Sequence, residues 1–485
     1  MKKAKIYYYD IGDYKTRDEK LKIISEFKSF ANMPLTELTP NEHGDWISVR
    51  NDAFSTFIPL EPEKKFDAKT QTFFNLNVIG ISTNRDAWVY NFSKEKVAEN
   101  MQRMIAFYNE QSNAFAEAKK KNSKLEVEDF VNGDSTRISW TRALRNDAKK
   151  NIQHSYNISH FRKGIYRPFI NQNLYFDKNF IESPGLSSQL FPTAKSENLI
   201  INVTGIGASK EFSVVISNSL TGIDTIEKNQ IFPLYYYVEN NTTQKGLFDE
   251  SHEKGLIRRE AVSDFILERA KKIYGKNVTK EDIFHYVYGF LHSKEYRETF
   301  ANDLKKMLPR LPLVEDVKDF WAFSKAGRKL AELHLNYESI EPSKEVIVLF
   351  NPLNIADTLK QANKKELEYL NYRVEKMRFS KLPSPNGEGS RVRSKDTIIY
   401  NSQITIENIP EKAYNYVVNG KSAIEWIMER YQVSTHKESG IVNNPNDWAK
   451  EQNKPKYILD LLLSIINVSV QTVDIVNALP KVKLD

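Results

Sequence analysis

Cysteine is absent from all 485 residues of the sequence. Without thiols, the chain has no disulfide bonds, no thiol-based catalysis and none of the usual cysteine-ligated zinc sites. Histidine is scarce, and its eight residues are scattered; the closest pairs are His154 with His160 and His285 with His292. Neither pair makes a convincing metal site without further carboxylates, so we expect neutral histidines in the core or on the surface.

Long apolar runs are also lacking. A membrane span needs roughly 18 apolar residues, and the best candidate, at 461–470, is interrupted by Ser464, Asn467 and Ser469. The basic start MKKAK is not followed by the apolar core of a signal peptide. We therefore expect a cytoplasmic protein with no membrane segment.

The net charge of +7 is a small difference between 70 basic and 63 acidic residues, so its distribution is more informative. One stretch combines a single carboxylate, Asp147, with eight basic residues: Arg137, Arg142, Arg145, Lys149, Lys150, Arg162, Lys163 and Arg167. A local excess of this kind attracts phosphate and releases counterions on binding. A solvated surface that only maintains solubility explains the pattern equally well.

Hydrophobic periodicity predicts a mixed α/β (α+β) fold with a helix-rich C-terminal half. The predicted strands are at 5–9, 199–203, 212–216, 345–350 and within 397–406, and polar loops are predicted at 239–254 and 383–394. A helix at 94–118 has Ser93 as its N-cap, and a capping box at Thr279 begins another. Further helices are predicted at 17–30 and 456–479.

Three short motifs have both a catalytic and a structural interpretation. GIGASK at 205–210 lacks the spacing of a phosphate-binding loop and precedes a strand, which favours a tight hairpin turn. NPLN at 351–354 is similar to the Asn-Pro-Pro-Tyr motif of adenine-N6 methyltransferases, but it lacks the second proline and the aromatic residue. Asp10 and Asp13 follow a strand without a positioned Lys or His, so turn or cap roles are favoured.

A series of segments resembles, in order, the C-terminal specificity region of Type ISP restriction–modification enzymes. The longest is GISTNRDAWVYNF at 80–92, and the others are TPNEHGDWI (39–47), ISWT (138–141), YRPF (166–169), YFD (175–177), VTGIG (203–207), FPLYY (232–236), YVYG (286–289), LHS (291–293), FWAF (320–323) and IVNNPNDW (441–448). Because these segments are collinear and cover nearly the whole chain, the resemblance is more specific than any one motif.

Full-length members of that family join a nuclease and DNA translocase to an adenine-N6 methyltransferase and a target-recognition region. The resemblance implies that 1–68 is a C-terminal remnant of the methyltransferase, a partial sheet edge. It assigns 69–255 to a strand-rich target-recognition region with the basic stretch, and 256–485 to the helix-rich part of the specificity domain.

The same resemblance implies that this chain recognises a specific sequence of double-stranded DNA. The catalytic motifs would lie upstream or on another chain, with the methyltransferase, helicase and nuclease parts. We therefore expect no catalytic residue and no cofactor in this chain; S-adenosylmethionine, ATP and Mg are implied only for the missing parts. Two alternatives are an adenine-N6 methyltransferase with a degenerate active site, anchored by Asn351, and an inert fragment.

Side-chain chemistry gives candidate DNA contacts within this framework. Asn84 and Arg85, on a loop before a helix, are suited to base edges, because Asn pairs well with adenine and Arg with guanine. Candidate phosphate contacts are Arg137, Arg142, Arg145, Lys149 and Lys150. Arg162, Lys163 and Arg167 suit either role.

Overall fold

A computed structural model describes residues 4–12, 15–47, 49–62, 64–67, 69–239, 255–353, 364–382 and 392–484. These residues contain both α-helices and short strands arranged in several small sheets, so the fold is mixed α and β. The chain separates into two compact units, Met1–Thr56 and Phe57–Asp485. The assignment of 1–68, 69–255 and 256–485 to three functional parts stays a prediction.

The first unit is small. It contains the antiparallel pair β1 (Ile6–Tyr8) and β2 (Thr36–Leu38) and the helices α1 (Arg17–Glu26) and α2 (Asp52–Thr56). The predicted helix at 17–30 is therefore shorter than expected, and Lys28 adopts a left-handed conformation (φ 59°) just beyond its end. Leu21 and Ile24, on the predicted apolar stripe, are 53% and 51% exposed. Asp10 accepts a hydrogen bond from the Gly12 backbone, the expected turn role, whereas Asp13 lies outside the described residues.

The N-terminal part of the second unit contains two four-stranded sheets and a long helix. One sheet has the order β10-β6-β7-β5, with β10 and β6 parallel, and the other is antiparallel with the order β4-β11-β8-β9. The bounds are β3 (Ile58–Pro59), β4 (Val78–Ile79), α3 (Asp86–Val89), β5 (Tyr90–Asn91), α4 (Lys94–Lys121), α5 (Val127–Phe130), α6 (Arg142–Lys149), β6 (Phe161–Arg167), β7 (Ile170–Tyr175), α7 (Ser187–Leu190), β8 (Ile200–Val203), β9 (Val214–Ser217), β10 (Leu220–Thr221), β11 (Gln230–Pro233), β12 (Tyr235–Glu239) and β13 (Leu256–Glu260).

Helix α4 confirms a prediction made from its cap and its apolar spacing. The Ser93 hydroxyl accepts a hydrogen bond from the Lys96 backbone N–H at 3.0 Å, and the helix then continues through Lys121. The predicted stripe is buried and forms the centre of the first hydrophobic core; its members are Val97, Met101, Met104, Ile105 and Tyr108.

Helices dominate the middle of the second unit. They are α8 (Asp264–Tyr274), α9 (Lys280–Phe290), α10 (Lys294–Thr299), α11 (Ala301–Lys306) and α12 (Val317–Leu335), with the short strand β14 (Arg310–Leu311) paired to β3. The capping box is confirmed, since Thr279 and Asp282 bond to each other's backbone N–H. Helices α9 and α12 pack at unusually close range through two glycines: a Cβ at Gly327 would lie 1.9 Å from the His285 carbonyl oxygen, and one at Gly289 would lie 2.2 Å from that of Phe323.

The C-terminal part forms a second core around a four-stranded antiparallel sheet of order β15-β18-β17-β16. Its elements are β15 (Ile347–Phe350), α13 (Lys364–Tyr372), β16 (Arg378–Leu382), β17 (Val392–Ile399), β18 (Ile404–Glu407), β19 (Val417–Val418), β20 (Lys421–Ser422), α14 (Ala423–Arg430), β21 (Ser434–Thr435), β22 (Val442–Asn443), α15 (Pro445–Glu451) and α16 (Tyr457–Asn477). The loop predicted at 383–394 is wrong for 392–394, which begin β17; residues 383–391 and most of the loop predicted at 239–254 lie outside the described residues.

Helix α16 passes the length and composition test for a membrane span, with a mean hydropathy of 1.6. The sequence analysis did not predict a span here because it required an unbroken apolar run. Ser464, Asn467 and Ser469 interrupt that run but lower its mean hydropathy only a little. However, 67% of its most apolar window is buried inside the protein. Leu461, Leu462, Ile465 and Ile466 are wholly buried in the second core, which is the usual position of a core helix in a globular fold.

Candidate nucleic-acid interface

A cleft of about 630 Å³ opens in the second unit. Five parts of the chain form its walls: residues 81–90, the segment 135–139 before α6, the facing ends of β6 and β7, the turn at 222–224, and the segment from the end of α14 through the β21–β22 hairpin. We refer to this space as the cleft. Of the predicted DNA contacts, it brings together Asn84, Arg85 and Arg167.

Asn84 and Arg85 lie just before α3, as predicted. Asn84 is exposed and has a φ of 52°, a left-handed conformation that asparagine tolerates better than most residues. Its side-chain oxygen accepts a hydrogen bond from Ser82 Oγ at 3.2 Å, and its backbone oxygen accepts one from Ser139 Oγ at 3.4 Å. The Asn84 side chain is therefore held at the cleft surface by a turn that is fixed on both sides.

Arg85 is only 4% exposed, although it lines the cleft. Its Nη2 donates to Thr141 Oγ1 at 2.8 Å, and its guanidinium carbon lies 5.9 Å from the centre of the Phe180 ring. The Nε and Nη1 groups have no hydrogen-bond partner among the described residues. Burial lowers the pKa of Arg85 to about 10, and the nearby carboxylate of Glu182 partly opposes this shift.

Two tyrosines form the floor of the cleft. The rings of Tyr90 and Tyr166 lie 5.2 Å apart, and the buried Tyr90 hydroxyl has no partner among the described residues. The pKa of Tyr166 is raised, mainly because the side chain is buried. The charges of Arg167 and Arg430 lower this pKa, and those of Asp86 and Asp224 raise it. Tyr166 is therefore surrounded by both positive and negative groups.

Arg167 and Gln172 project from the β6–β7 hairpin. The Arg167 guanidinium lies 4.3 Å from the centre of the Tyr166 ring and donates to the Tyr166 backbone oxygen at 2.7 Å. No ion pair of Arg167 occurs within the described part of the chain. Gln172 is 5% exposed, and its side-chain oxygen is one of the unpartnered buried atoms. The hairpin thus contributes a cation without an ion-pair partner and an acceptor without a hydrogen-bond partner in the described structure.

The C-terminal wall was missed by sequence reasoning. It includes Arg430, the last residue of α14, whose Nη2 lies 3.1 Å from Glu429 Oε1 and whose buried Nε has no partner among the described residues. This wall is joined to the segment 91–92, just after α3, by long-range hydrogen bonds. Asn91 Nδ2 donates to the Val442 oxygen at 2.9 Å, and the Phe92 backbone N–H donates to Asn443 Oδ1 at 3.0 Å.

Charges of both signs line the cleft. The arginines are Arg85, Arg167 and Arg430, and the carboxylates are Asp86, Asp224, Glu429 and Glu438. The cleft therefore lacks the single-sign positive field that favours phosphate. It offers both donors and acceptors at its surface instead.

The predicted phosphate contacts lie in varied surroundings on and near α6. Arg137 lies 3.8 Å from the centre of the Phe107 ring and 3.7 Å from Glu110, and Lys149 forms ion pairs with Glu126 and Glu128. Arg145 is half-buried, and its Nε has no partner in the described structure. In contrast, the exposed side chains of Arg142 and Lys150 make no hydrogen bond or ion pair with the described residues.

Arg162 and Lys163 differ although they are adjacent on β6. The Arg162 guanidinium donates to the backbone oxygens of Ser159, Phe161 and Pro192, and burial lowers its pKa. These contacts give Arg162 a role in holding the sheet edge. Lys163 is exposed, and its side chain has no partner among the described residues.

The other sequence motifs have structural surroundings. The tight hairpin turn predicted for GIGASK is wrong, because the segment lies in the longer connection 204–213 between β8 and β9. Its Ser209 and Lys210 backbone N–H groups donate to the Glu227 carboxylate, both at 3.0 Å, so these donors are already satisfied within the chain. Asn351 is exposed at the end of β15, and its backbone N–H donates to the Gln403 oxygen; Asn354 lies outside the described residues.

Comparison with known families identifies the second unit. A family model, the Type ISP C-terminal specificity domain, matches residues 72–461. The chain belongs to this family. No curated protein sequence matches it.

Solved structures extend the similarity over the first unit as well. The specificity-domain chain is 36% identical to a nuclease-deletion mutant of the Type ISP restriction-modification enzyme LlaGI, solved with a DNA substrate mimic, with a TM-score of 0.79 over 99% of this chain and 39% of that one. It is 33% identical to the ATP-dependent Type ISP enzyme LlaBIII bound to DNA, with a TM-score of 0.80 over 99% of this chain and 28% of that one. A DrdV–DNA complex is 26% identical, with a TM-score of 0.77 and coverage of 99% and 43%. The chain thus spans 28–43% of the length of these relatives.

Proposed function

We propose that this chain recognises a specific sequence in double-stranded DNA as the specificity part of a restriction–modification system. The observation that supports this most strongly is the cleft, where buried donors and acceptors without partners line a space of about 630 Å³. Buried polar atoms of this kind cost free energy unless a ligand completes their hydrogen bonds. Membership of the Type ISP specificity-domain family, and the DNA bound by LlaGI and LlaBIII, support DNA as that ligand.

The catalytic steps belong, on this proposal, to methyltransferase, helicase and nuclease parts upstream or on a separate chain in the cytoplasm. S-adenosylmethionine, ATP and Mg would be bound by those parts. The first unit supports a role in joining them, because Leu21 and Ile24 of α1 are exposed although their spacing is typical of a helix that packs against a neighbour.

Phosphate contacts outside the cleft would supply most of the affinity. Arg142, Lys150 and Lys163 are the best candidates among the predicted residues, because they are exposed and their side chains have no partner in the described structure. Lys149, Arg137 and Arg162 already have contacts within the chain. DNA binding would have to compete with those contacts.

The experiment is a titration of the purified 485-residue chain with randomised duplex DNA at several salt concentrations. We expect binding that weakens steeply with salt, because each phosphate contact contributes about 0.9 to the slope of log K against log salt. Arg142→Ala combined with Lys150→Ala should lower the slope by roughly 2. Gly133→Ala, at an exposed position with nothing near the added Cβ, is the matched control. A folded protein that binds no DNA at low salt would contradict the proposal.

The alternative, a degenerate adenine-N6 methyltransferase, has weaker support. Asn351 is exposed and lies outside the cleft. Isothermal calorimetry with S-adenosylmethionine tests it directly: binding that Asn351→Ala abolishes would favour the methyltransferase.

A further inference from the structure

The cleft contains a mixture of unpartnered groups that restricts the chemistry of its ligand. Arg85 Nε and Nη1 and Arg430 Nε are donors, Gln172 Oε1 is an acceptor, and the Tyr90 hydroxyl serves as either. These five atoms are more than a third of the fourteen buried side-chain atoms without partners in the described structure. All five belong to residues that line the cleft.

A DNA phosphate would satisfy only part of this set. Phosphate oxygens accept hydrogen bonds but donate none, so Gln172 Oε1 would stay unpartnered. The carboxylates of Asp224 and Glu429 would also repel a phosphate placed between the arginines. Base edges in the major groove present both acceptors and amino donors. The cleft is therefore complementary to bases and not to the sugar–phosphate backbone.

Three side chains around Tyr166 have the chemistry of a particular base pair. Arg167 lies against the Tyr166 ring without a carboxylate partner in the described structure, and Arg430 has an unpartnered Nε. Asp224 is exposed on the opposite turn. Arginine pairs with O6 and N7 of guanine, and a carboxylate accepts from N4 of cytosine.

We propose that the cleft is the base-recognition surface of this chain, in which Arg167 and Arg430 contact guanine and Asp224 accepts from the cytosine amino group. This inference rests on the proposed function and deepens it, because it names the residues that set specificity. The guanidinium of Arg430 would exchange its contact with Glu429 for the guanine edge. The side-chain oxygen of Gln172 would accept a hydrogen bond from an amino group of a neighbouring base.

The test uses substitutions that keep the charge. Arg167→Lys and Arg430→Lys retain a cation for phosphate but lose the bidentate geometry that distinguishes guanine. The full-length chain and each variant would be used to select duplexes from a randomised library. Affinities for the selected duplex and for its single-base-pair variants would then be measured at several salt concentrations.

We expect each variant to prefer the G·C pair over other base pairs at one position roughly 10- to 100-fold less than the unmodified chain does. The slope of log K against log salt should be unchanged. Asp224→Asn should alter the preference at a G·C pair, and it is safe for folding because the residue is exposed. Arg269→Lys, at an exposed position of α8 away from the cleft and the basic stretch, should leave the selected sequence unchanged.

The outcomes separate the two proposals. If the unmodified chain binds no duplex, the proposed function itself fails. If it selects a sequence but the Arg167 and Arg430 variants select the same one and weaken all duplexes equally, those arginines contact phosphate and this inference is overturned. If Asp224→Asn raises the affinity for all duplexes equally, Asp224 lies beside the DNA backbone and not beside a base, which also overturns this inference.

Discussion

The second unit buries polar side chains in two regions, the α9–α12–α16 core and the cleft, and more of the atoms without partners in the described structure lie on cleft residues than in that core. In the core, the Tyr288 hydroxyl lies 2.5 Å from His334 Nδ1, and His334 Nε2 lies 2.9 Å from Thr472 Oγ1. Thr472 Oγ1 in turn donates to the Val468 oxygen at 2.7 Å. The chain of hydrogen bonds begins and ends within the protein.

The cleft leaves its hydrogen bonds incomplete. Arg85 and Gln172 are about as buried as His334, yet both have side-chain atoms without partners in the described structure. Because an unsatisfied buried polar group costs free energy, a fold retains several in one place only where something compensates. In the core, His285 Nδ1 and His292 Nε2 also lack partners among the described residues, so it is the grouping of five such atoms on cleft residues that supports a binding surface there.

The largest expected effect comes from a substitution that disrupts the packing of the core and leaves the cleft residues unchanged. Gly327→Ala places a Cβ 1.9 Å from the His285 carbonyl oxygen, so α9 and α12 must move apart. We expect a loss of more than about 4 kcal/mol in the free energy of unfolding, or failure to fold. Urea denaturation measures this, with Gly133→Ala as the control, and a stable Gly327→Ala protein would show that the helices are not packed so closely.

Acidification should also act on the core. Burial lowers the pKa values of His285 and His292 to about 4 and that of His334 well below 6.5. Below pH 6.5 the unfolded chain therefore takes up protons that the folded chain does not. The free energy of unfolding should fall by about 1.4 kcal/mol per pH unit for each histidine as the pH decreases from 6.5 towards 4.

Replacing His334 with Asn should make this pH dependence shallower. Urea denaturation at a series of pH values measures the slope. Gly133→Ala, at an exposed position with nothing near the added Cβ, should keep the slope of the unmodified chain. An equal slope for the His334 variant would mean that this histidine titrates normally.

The smallest expected effect compares the two regions directly. Removing a polar side-chain group should lower the free energy of unfolding in the core, but should leave it unchanged or raise it in the cleft. Thr472→Val removes the partner of His334 Nε2 and should destabilise the core by about 1–3 kcal/mol. Gln172→Met removes an unsatisfied acceptor and should be neutral or stabilise the fold by up to about 1 kcal/mol, while it weakens selection of the preferred DNA. A Gln172→Met loss as large as that of Thr472→Val would contradict this view of the cleft.

Features set by neighbouring residues were predictable from the sequence. The Ser93 cap of α4 and the Thr279 capping box depend on residues three positions away, and both are confirmed. The position of Asn84 and Arg85 before α3 was also predicted correctly. In each case the signal and the structure it specifies lie within one helical turn.

The cleft was not predictable in this way. Arg430 and Asp224 are not part of any basic cluster or motif, and only the fold places them beside Tyr166. Conversely, the basic stretch looked continuous, but strand pairing and local ion pairs divide it among Arg162 at a sheet edge, Lys149 beside two glutamates and Arg167 in the cleft. Local charge composition carries no information about the direction of a side chain.

The hydrogen bonds that join Asn91 and Phe92 to Val442 and Asn443 connect residues 351 positions apart. At a synthesis rate of about 5–20 residues per second, one wall of the cleft would leave the ribosome roughly 20–70 s before the other. The cleft can therefore be assembled only after Asn443 has emerged. A chain that terminates early would lack the binding surface even if its first core had folded.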